Sequence, residues 1–249
     1  MTGWKTVFDV ATALGQVMLN LSLGPDMYTI YRNKSTGGMS ALPIVSMLVN
    51  CHVWMCYGIL RDRIFPVAVS QGIGQLAAFV FNAIYFRWSL MQTRKDTLKL
   101  YVGGIVLHCI VTLYSVLALA GVLSQSNYDS STFLGYFGVS INVCVFASPF
   151  ATLKHVVQTK SASSIPINLS FMIFASSVLW VATGLLDNDA FITGLNLVGV
   201  VLGAIQMALY YMYRPSQGGI AAAGTNGELP VVVTPVYKPL SSPITGKAV

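Results

Sequence analysis

Charged residues are what this sequence has least of: Asp, Glu, Lys and Arg make up only 9% of its 249 residues, against about 25% in an ordinary soluble domain. With 55% hydrophobic residues and a mean hydropathy of +0.68, that shortage excludes a soluble globular chain. Cysteine is scarce as well. Its four occurrences, Cys51, Cys56, Cys109 and Cys144, all fall inside apolar stretches, so neither a disulfide framework nor a zinc site with loop-borne ligands is available. No Ser/His/Asp, metal-ligand or phosphate-loop constellation occurs, which gives no basis for an enzyme, a metal or a cofactor. The net charge of +6 does not mark a nucleic-acid binder, because the bases sit in short segments between apolar runs rather than on one polar face.

Apolar runs dominate what is present. Seven can be read, over residues 7–31, 41–60, 65–87, 100–123, 134–157, 165–186 and 190–212, each near the roughly 20 residues that a membrane-crossing helix requires. The first is too long for a secretory signal and lacks its charged front, so it reads as a retained span. Beyond Arg214 the composition turns to Gly, Ala, Pro and Val without a helical period, so residues 215–249 read as a flexible tail. Eleven of the fourteen Lys and Arg residues fall on one side of the spans, leaving Lys5, Arg61 and Arg63 on the other. The rich side is expected to be cytosolic, which places the amino terminus outside and the tail in the cytosol.

The chain also resembles itself. Lys34 and Lys160, Trp54 and Trp180, Gly58 and Gly184, and Phe65 and Phe191 are each 126 residues apart, and Gln71 with Asn196, Gly74 with Gly199 and Tyr85 with Tyr210 are 125 apart. This is the length of a duplicated three-helix unit rather than of a solenoid repeat. Two units with an odd number of helices share an orientation only if one further helix separates them, and the fourth span supplies it. The expected fold is therefore an all-α membrane protein of seven transmembrane helices, as two parallel three-helix bundles joined by a linker helix (3+1+3). Residues 7–88 form the first repeat, 99–124 the linker, 134–214 the second repeat and 215–249 the tail. Parallel repeats leave a central cavity at their interface, which argues for transport over signalling.

Several motifs carry a more specific likeness. Asn33-Lys-Ser-Thr followed by Pro43, Val49-Asn-Cys with Tyr57-Gly58, Ala147-Ser-Pro149, Gln158-Thr-Lys-Ser161, and Asn196 with Gly199 together resemble the SWEET sugar transporters, also called the nodulin/saliva family. The likeness runs from residue 7 to about residue 213. That family is itself a known case of parallel repeats about an axis along the membrane normal, so the cavity argument and the resemblance are not independent.

Trp54 and Trp180 stand four residues before Gly58 and Gly184, where a pseudo-two-fold would face them across the cavity. Indole faces suit the apolar faces of a pyranose and carry no charge that needs desolvation; packing or lipid-facing tryptophan is the plainer alternative. The resemblance implies that these positions flank the sugar, with Asn196 binding its hydroxyls. Gln71 stands where the family usually has Asn, so it either contacts the sugar or turns away. Trp54, bulky where disaccharide carriers tend to have something smaller, points to monosaccharides such as glucose. Pro25, Pro43, Pro149 and Pro166 correspond to a proline tetrad that the resemblance makes an inner gate and hinge; Pro43 and Pro166 also suit ordinary helix starts. Tyr57 and Asp189 correspond to an outer gate, with Arg61 or Arg63 as ionic partners.

The resemblance further implies bidirectional facilitated uniport by alternating access, with the sugar and the bilayer as partners, in a plasma membrane. One chain holds both units, and assembly into a homo-oligomer stays open. Asp26, His52 and His108 are the candidates for ion coupling. Two alternatives differ in class: a proton-coupled PQ-loop-type amino acid transporter, against which stands the absence of any Pro-Gln dipeptide, and a seven-helix receptor, against which stand the repeat and the short loops.

Overall fold

A computed structural model of the chain describes residues 3–89, 94–162 and 165–214. Within it the side chains of residues 144–149 and 151 are outside the described set, as is the tail 215–249; Cys144 and the side chain of Pro149 fall there. The described residues are almost entirely helical: α1 (Gly3–Leu21), α2 (Gly24–Asn33), α3 (Leu42–Leu60), α4 (Val69–Trp88), α5 (Arg94–Leu119), α6 (Asn127–Thr159), α7 (Ile167–Leu186) and α8 (Ala190–Tyr213). A wide turn, Ile64–Ala68, leads into α4. Six stretches, counting α1 and α2 as one, are long and apolar enough to cross a membrane. The remaining span is α6, whose 33 residues extend about 50 Å at 1.5 Å each, well beyond a hydrocarbon core of about 30 Å.

The first apolar run divides into two helices because Pro25 has no N–H to offer the carbonyl four residues back. α1 ends at Leu21 and α2 restarts with Pro25 in its first turn, where the missing donor costs nothing. Thr29 Oγ1 donates to the Pro25 carbonyl at 2.9 Å. Pro43 likewise occupies the first turn of α3.

α4 lies between α1 and α3, and α8 lies against both α6 and α7. The two units meet along two seams, α3 against α6 and α1 against α7, while α5 packs chiefly on α3. A pseudo-two-fold exchanging α1 with α6 and α3 with α7 maps one seam onto the other.

The repeat reappears in the backbone. The four non-glycine residues of positive φ among the described residues are Lys34 (52°), Asp62 (57°), Lys160 (53°) and Asn188 (54°), and they form two pairs 126 apart. The turns after α3 and α7 share their bonding too. Arg63 N donates to Gly58 O at 2.7 Å, and Asp189 N donates to Gly184 O at 2.8 Å. Both glycines are required by close approach: a Cβ on Gly58 would stand 2.9 Å from Ala68 N, and one on Gly184 would stand 2.9 Å from Thr193 N.

Gly58→Ala and Gly184→Ala are each expected to destabilise the fold by about 1–3 kcal/mol through forced backbone displacement, lowering the thermal midpoint in detergent. Gly103→Ala, where a Cβ meets nothing within 4 Å, should leave it unchanged.

Candidate functional site

One hydrogen-bonded pair spans the two units. Tyr57 Oη donates to Asp189 Oδ2 at 2.6 Å, with Tyr57 0% and Asp189 2% exposed. Asp189 is also the N-cap of α8: its Oδ1 accepts from Phe191 N and Ile192 N at 3.1 Å each. Trp54 meets the Tyr57 ring edge-on with centroids 5.2 Å apart, and Phe191 meets it at 6.2 Å.

The expected arginine partners of Asp189 are engaged elsewhere. Arg61 donates to Ser131 Oγ and Thr132 Oγ1 at 3.1 Å each and to Tyr128 Oη at 3.2 Å, and stacks 3.8 Å over the Tyr128 ring. These partners sit on the surplus N-terminal turns of α6. Arg63 pairs with Asp187 Oδ1 at 3.2 Å and donates to its backbone carbonyl at 2.9 Å, and Lys5 reaches the same carboxylate at 2.5 Å. Asp187 therefore ties α1, the turn after α3 and the turn after α7 together, a role that sequence reasoning missed. Its repeat equivalent is Arg61, 126 residues earlier, and that reversal of charge was the available signal. One turn further in, Thr12 and Thr183 share a buried hydroxyl bond of 2.9 Å across the α1/α7 seam.

Beneath this closure stand the two tryptophans, each 5% exposed and both within one buried apolar cluster. Each lies on a seam. A Cβ on Gly138 of α6 would stand 3.0 Å from Trp54 Cζ2, so glycine is what admits the indole there. Trp180 Nε1 donates to Gln16 Oε1 of α1 at 2.8 Å, and Gln16 Nε2 donates to Asn20 Oδ1 at 3.0 Å. Asn196 Nδ2 donates to the Ile192 carbonyl of its own helix at 2.8 Å. Gln71 is 7% exposed, and its Oε1 has no hydrogen-bond partner among the described residues. On the α3/α6 seam Asn142 Nδ2 donates to Asn50 Oδ1 at 2.9 Å.

The prolines differ in their local setting. Pro25 separates α1 from α2, Pro43 opens α3, and Pro166 immediately precedes α7 as its N-cap. Position 149 lies inside the continuous α6, and its side chain is outside the described residues.

Asp26 is exposed in the first turn of α2, where a carboxylate complements the helix dipole. The histidines belong to a different place. Their rings stack with centroids 3.8 Å apart, His52 Nδ1 faces Gln75 Oε1 at 3.4 Å and its Nε2 faces Thr112 Oγ1 at 2.8 Å, while Gln75 Nε2 lies 3.0 Å from His108 Nε2. This network joins α3, α4 and α5. His52 is two residues from both Asn50 and Trp54, about 200° around the helix, so it faces the linker helix and not the space between the units. Among the described residues no group of three His, Cys, Asp or Glu side chains is placed to hold a metal ion.

A repeat-built, multi-pass membrane protein with an aromatic and amide centre beneath a hydrogen-bonded closure is the class that these features define. The sequence profile of the MtN3/saliva family, described as "Sugar efflux transporter for intercellular exchange", matches residues 7–95 and again residues 132–218; the chain belongs to this family. It is 32% identical over 234 residues to the bidirectional sugar transporter SWEET15 of Oryza sativa subsp. japonica, covering 91% of this chain and 72% of that one. To the bidirectional sugar transporter N3 of Medicago truncatula it is 33% identical over 208 residues, covering 82% and 74%. The solved structure of a eukaryotic SWEET transporter superposes with a TM-score of 0.72 at 26% identity, covering 85% of this chain and 99% of that one. The seven-helix 3+1+3 architecture is thus that of a SWEET protein.

Tyr57→Phe removes a hydrogen bond to a carboxylate, worth about 1.5–3 kcal/mol, and leaves the ring contacts. It is expected to raise the labelling rate of a cysteine placed at Trp54, probed from the side that carries Asp189, by about tenfold or more. Asp189→Asn should give a smaller rise, since the amide oxygen still caps α8.

Proposed function

We propose that the chain carries monosaccharides such as glucose passively and in both directions across a membrane, alternating access between its two faces. The observation that carries this reading is the shut Tyr57–Asp189 pair above a symmetric tryptophan pair, with the unpartnered amide oxygen of Gln71 beside it. A buried polar atom without a partner is costly unless a ligand supplies one, and a pyranose presents apolar faces to indoles and hydroxyls to amides. The relatives named as bidirectional sugar transporters support the same reading. The protein is then a transporter and not an enzyme.

In this reading Trp54 and Trp180 sandwich the sugar, Asn196 offers its carbonyl oxygen and Gln71 its amide. Tyr57 and Asp189 form the outer gate. Pro25, Pro43, Pro149 and Pro166 provide inner-gate hinges, of which the separation of α1 from α2 at Pro25 is the most developed. Residues 7–88 and 134–214 act as the two moving units and 99–124 as their linker. The amino terminus lies outside, the tail 215–249 is cytosolic, and the membrane is the plasma membrane. A single chain suffices for the path, and association into a homo-oligomer is compatible with its lipid-facing surfaces.

The reading is tested by counterflow of labelled glucose in proteoliposomes loaded with unlabelled glucose, with and without an imposed pH gradient. Uptake that needs internal sugar and ignores the gradient is expected. Accumulation driven by the gradient would replace it with the proton-coupled reading, and no flux of any sugar would favour a receptor or an amino acid carrier. Trp180→Ala and Asn196→Ala are expected to cut flux by at least tenfold at unchanged surface expression. His52→Gln and His108→Gln should keep downhill flux and gain no gradient dependence.

A further inference from the structure

We propose that Asn20 of α1 is a sugar-contacting residue and that Gln16 is the residue that positions it. This rests on the sugar-transport reading and deepens it. The polarity of the chain from Trp180 inward fixes which atom is offered. An indole N–H can only donate, so Gln16 must present Oε1 to Trp180 at 2.8 Å. Its Nε2 then faces Asn20 at 3.0 Å, which requires Asn20 to present Oδ1. The Asn20 amide nitrogen is left over. Asn20 is 8% exposed, and its Nδ2 has no hydrogen-bond partner among the described residues.

That nitrogen lies one helical turn from Gln16, the partner of Trp180. It adjoins Gly74 of α4, where a Cβ would collide with the Asn20 amide and would stand 3.0 Å from Cys51 Sγ. Cys51 is one turn from Trp54, and Gly74 is one turn from Gln71. Two acceptor-capable oxygens are unpartnered nearby, Gln71 Oε1 one turn from Gly74 and Ser176 Oγ one turn from Trp180 and beside Gly15. One buried donor and two buried oxygens, contributed by α1, α4 and α7, thus lie within about a turn or two of the indoles. A ligand whose groups both donate and accept satisfies all three, as sugar hydroxyls do.

The test measures half-saturation of counterflow for glucose and for its 2-, 3-, 4- and 6-deoxy analogues, in the unmodified chain, Asn20→Leu and Gln16→Leu. Asn20→Leu is expected to raise half-saturation for glucose about tenfold with little change in maximal rate. One analogue, lacking the contacted hydroxyl, should bind the unmodified chain about tenfold more weakly and lose nothing further in Asn20→Leu. Gln16→Leu should weaken discrimination against that same analogue. Asn20→Ala serves as a second variant if the leucine form does not fold. Equal losses for glucose and all four analogues in the Asn20 variants, or no loss at all, would overturn the assignment while leaving sugar transport intact. Absence of sugar flux in the unmodified chain would overturn both.

Discussion

Asp189 is the constraint on which the closed end depends. Its Oδ1 starts α8 by accepting two backbone N–H groups, and its Oδ2 holds Tyr57 of the other unit at 2.6 Å. The carboxylate is placed by the helix it caps, so Tyr57 closes onto an acceptor that is already in position. The turn before it is fixed as well, with Asn188 in the left-handed region and Asp189 N bonded to Gly184 O. In the first unit the same turn carries Arg63 at the equivalent place, and Arg63 reaches Asp187. Duplication followed by divergence has given one unit an anion and the other a cation at matching corners.

The two seams between the units have also diverged. Along α1 and α7, polar pairs occur on successive turns: Lys5 with Asp187, Thr12 with Thr183 and Gln16 with Trp180. Along α3 and α6 the contact is Trp54 lying on Gly138, with the amide bond between Asn50 and Asn142 beside it. Lipid supplies no hydrophobic drive to bring helices together, and close packing and polar bonds do that work. The α3/α6 side also carries polar bonds, those of Arg61 to Tyr128, Ser131 and Thr132 at the start of α6. Parting either seam strands polar groups unless water or a ligand replaces the lost partner.

Much of this was legible in the sequence. The duplication is visible as paired Trp, Gly and Lys residues, and the break in the first span as Gly24-Pro25. The span boundaries fell within a few residues, except for α5, which starts at Arg94 instead of residue 100, and α6, whose extra turns begin at Asn127; both starts lie among polar residues that hydropathy does not mark. The Tyr57–Asp189 contact followed from the resemblance and is present in the geometry. What sequence could not supply was partner choice. Arg61 or Arg63 was expected at Asp189, but only the folded turns reveal that Arg61 bonds the start of α6 and Arg63 bonds Asp187. Gln16, Asn20 and Thr12 are single polar residues on an apolar helix, and nothing in their spacing says which helix faces them. Asn196 and Gln71 were legible as amides within spans, but the bond from Asn196 to its own Ile192 carbonyl is a rotamer choice that no pattern encodes.

The histidine pair illustrates why an ionisable side chain in a span need not carry an ion. Gln75 fixes the polarity of the network: its oxygen receives the proton on His52 Nδ1, which leaves His52 Nε2 to accept from Thr112, and its nitrogen donates to His108 Nε2. The acceptor nitrogen of each imidazole is therefore engaged. A further proton on His52 Nε2 turns the Thr112 hydroxyl from donor to acceptor, whereas one on His108 Nε2 turns the Gln75 amide, which breaks its bond to His52. The resulting cation would stand against a stacked imidazole, and the ion pairs among the described residues involve only Lys5, Arg63 and Lys99 with Asp187 and Asp96. Two neutral rings satisfied by one amide make a joint between the linker helix and the first unit.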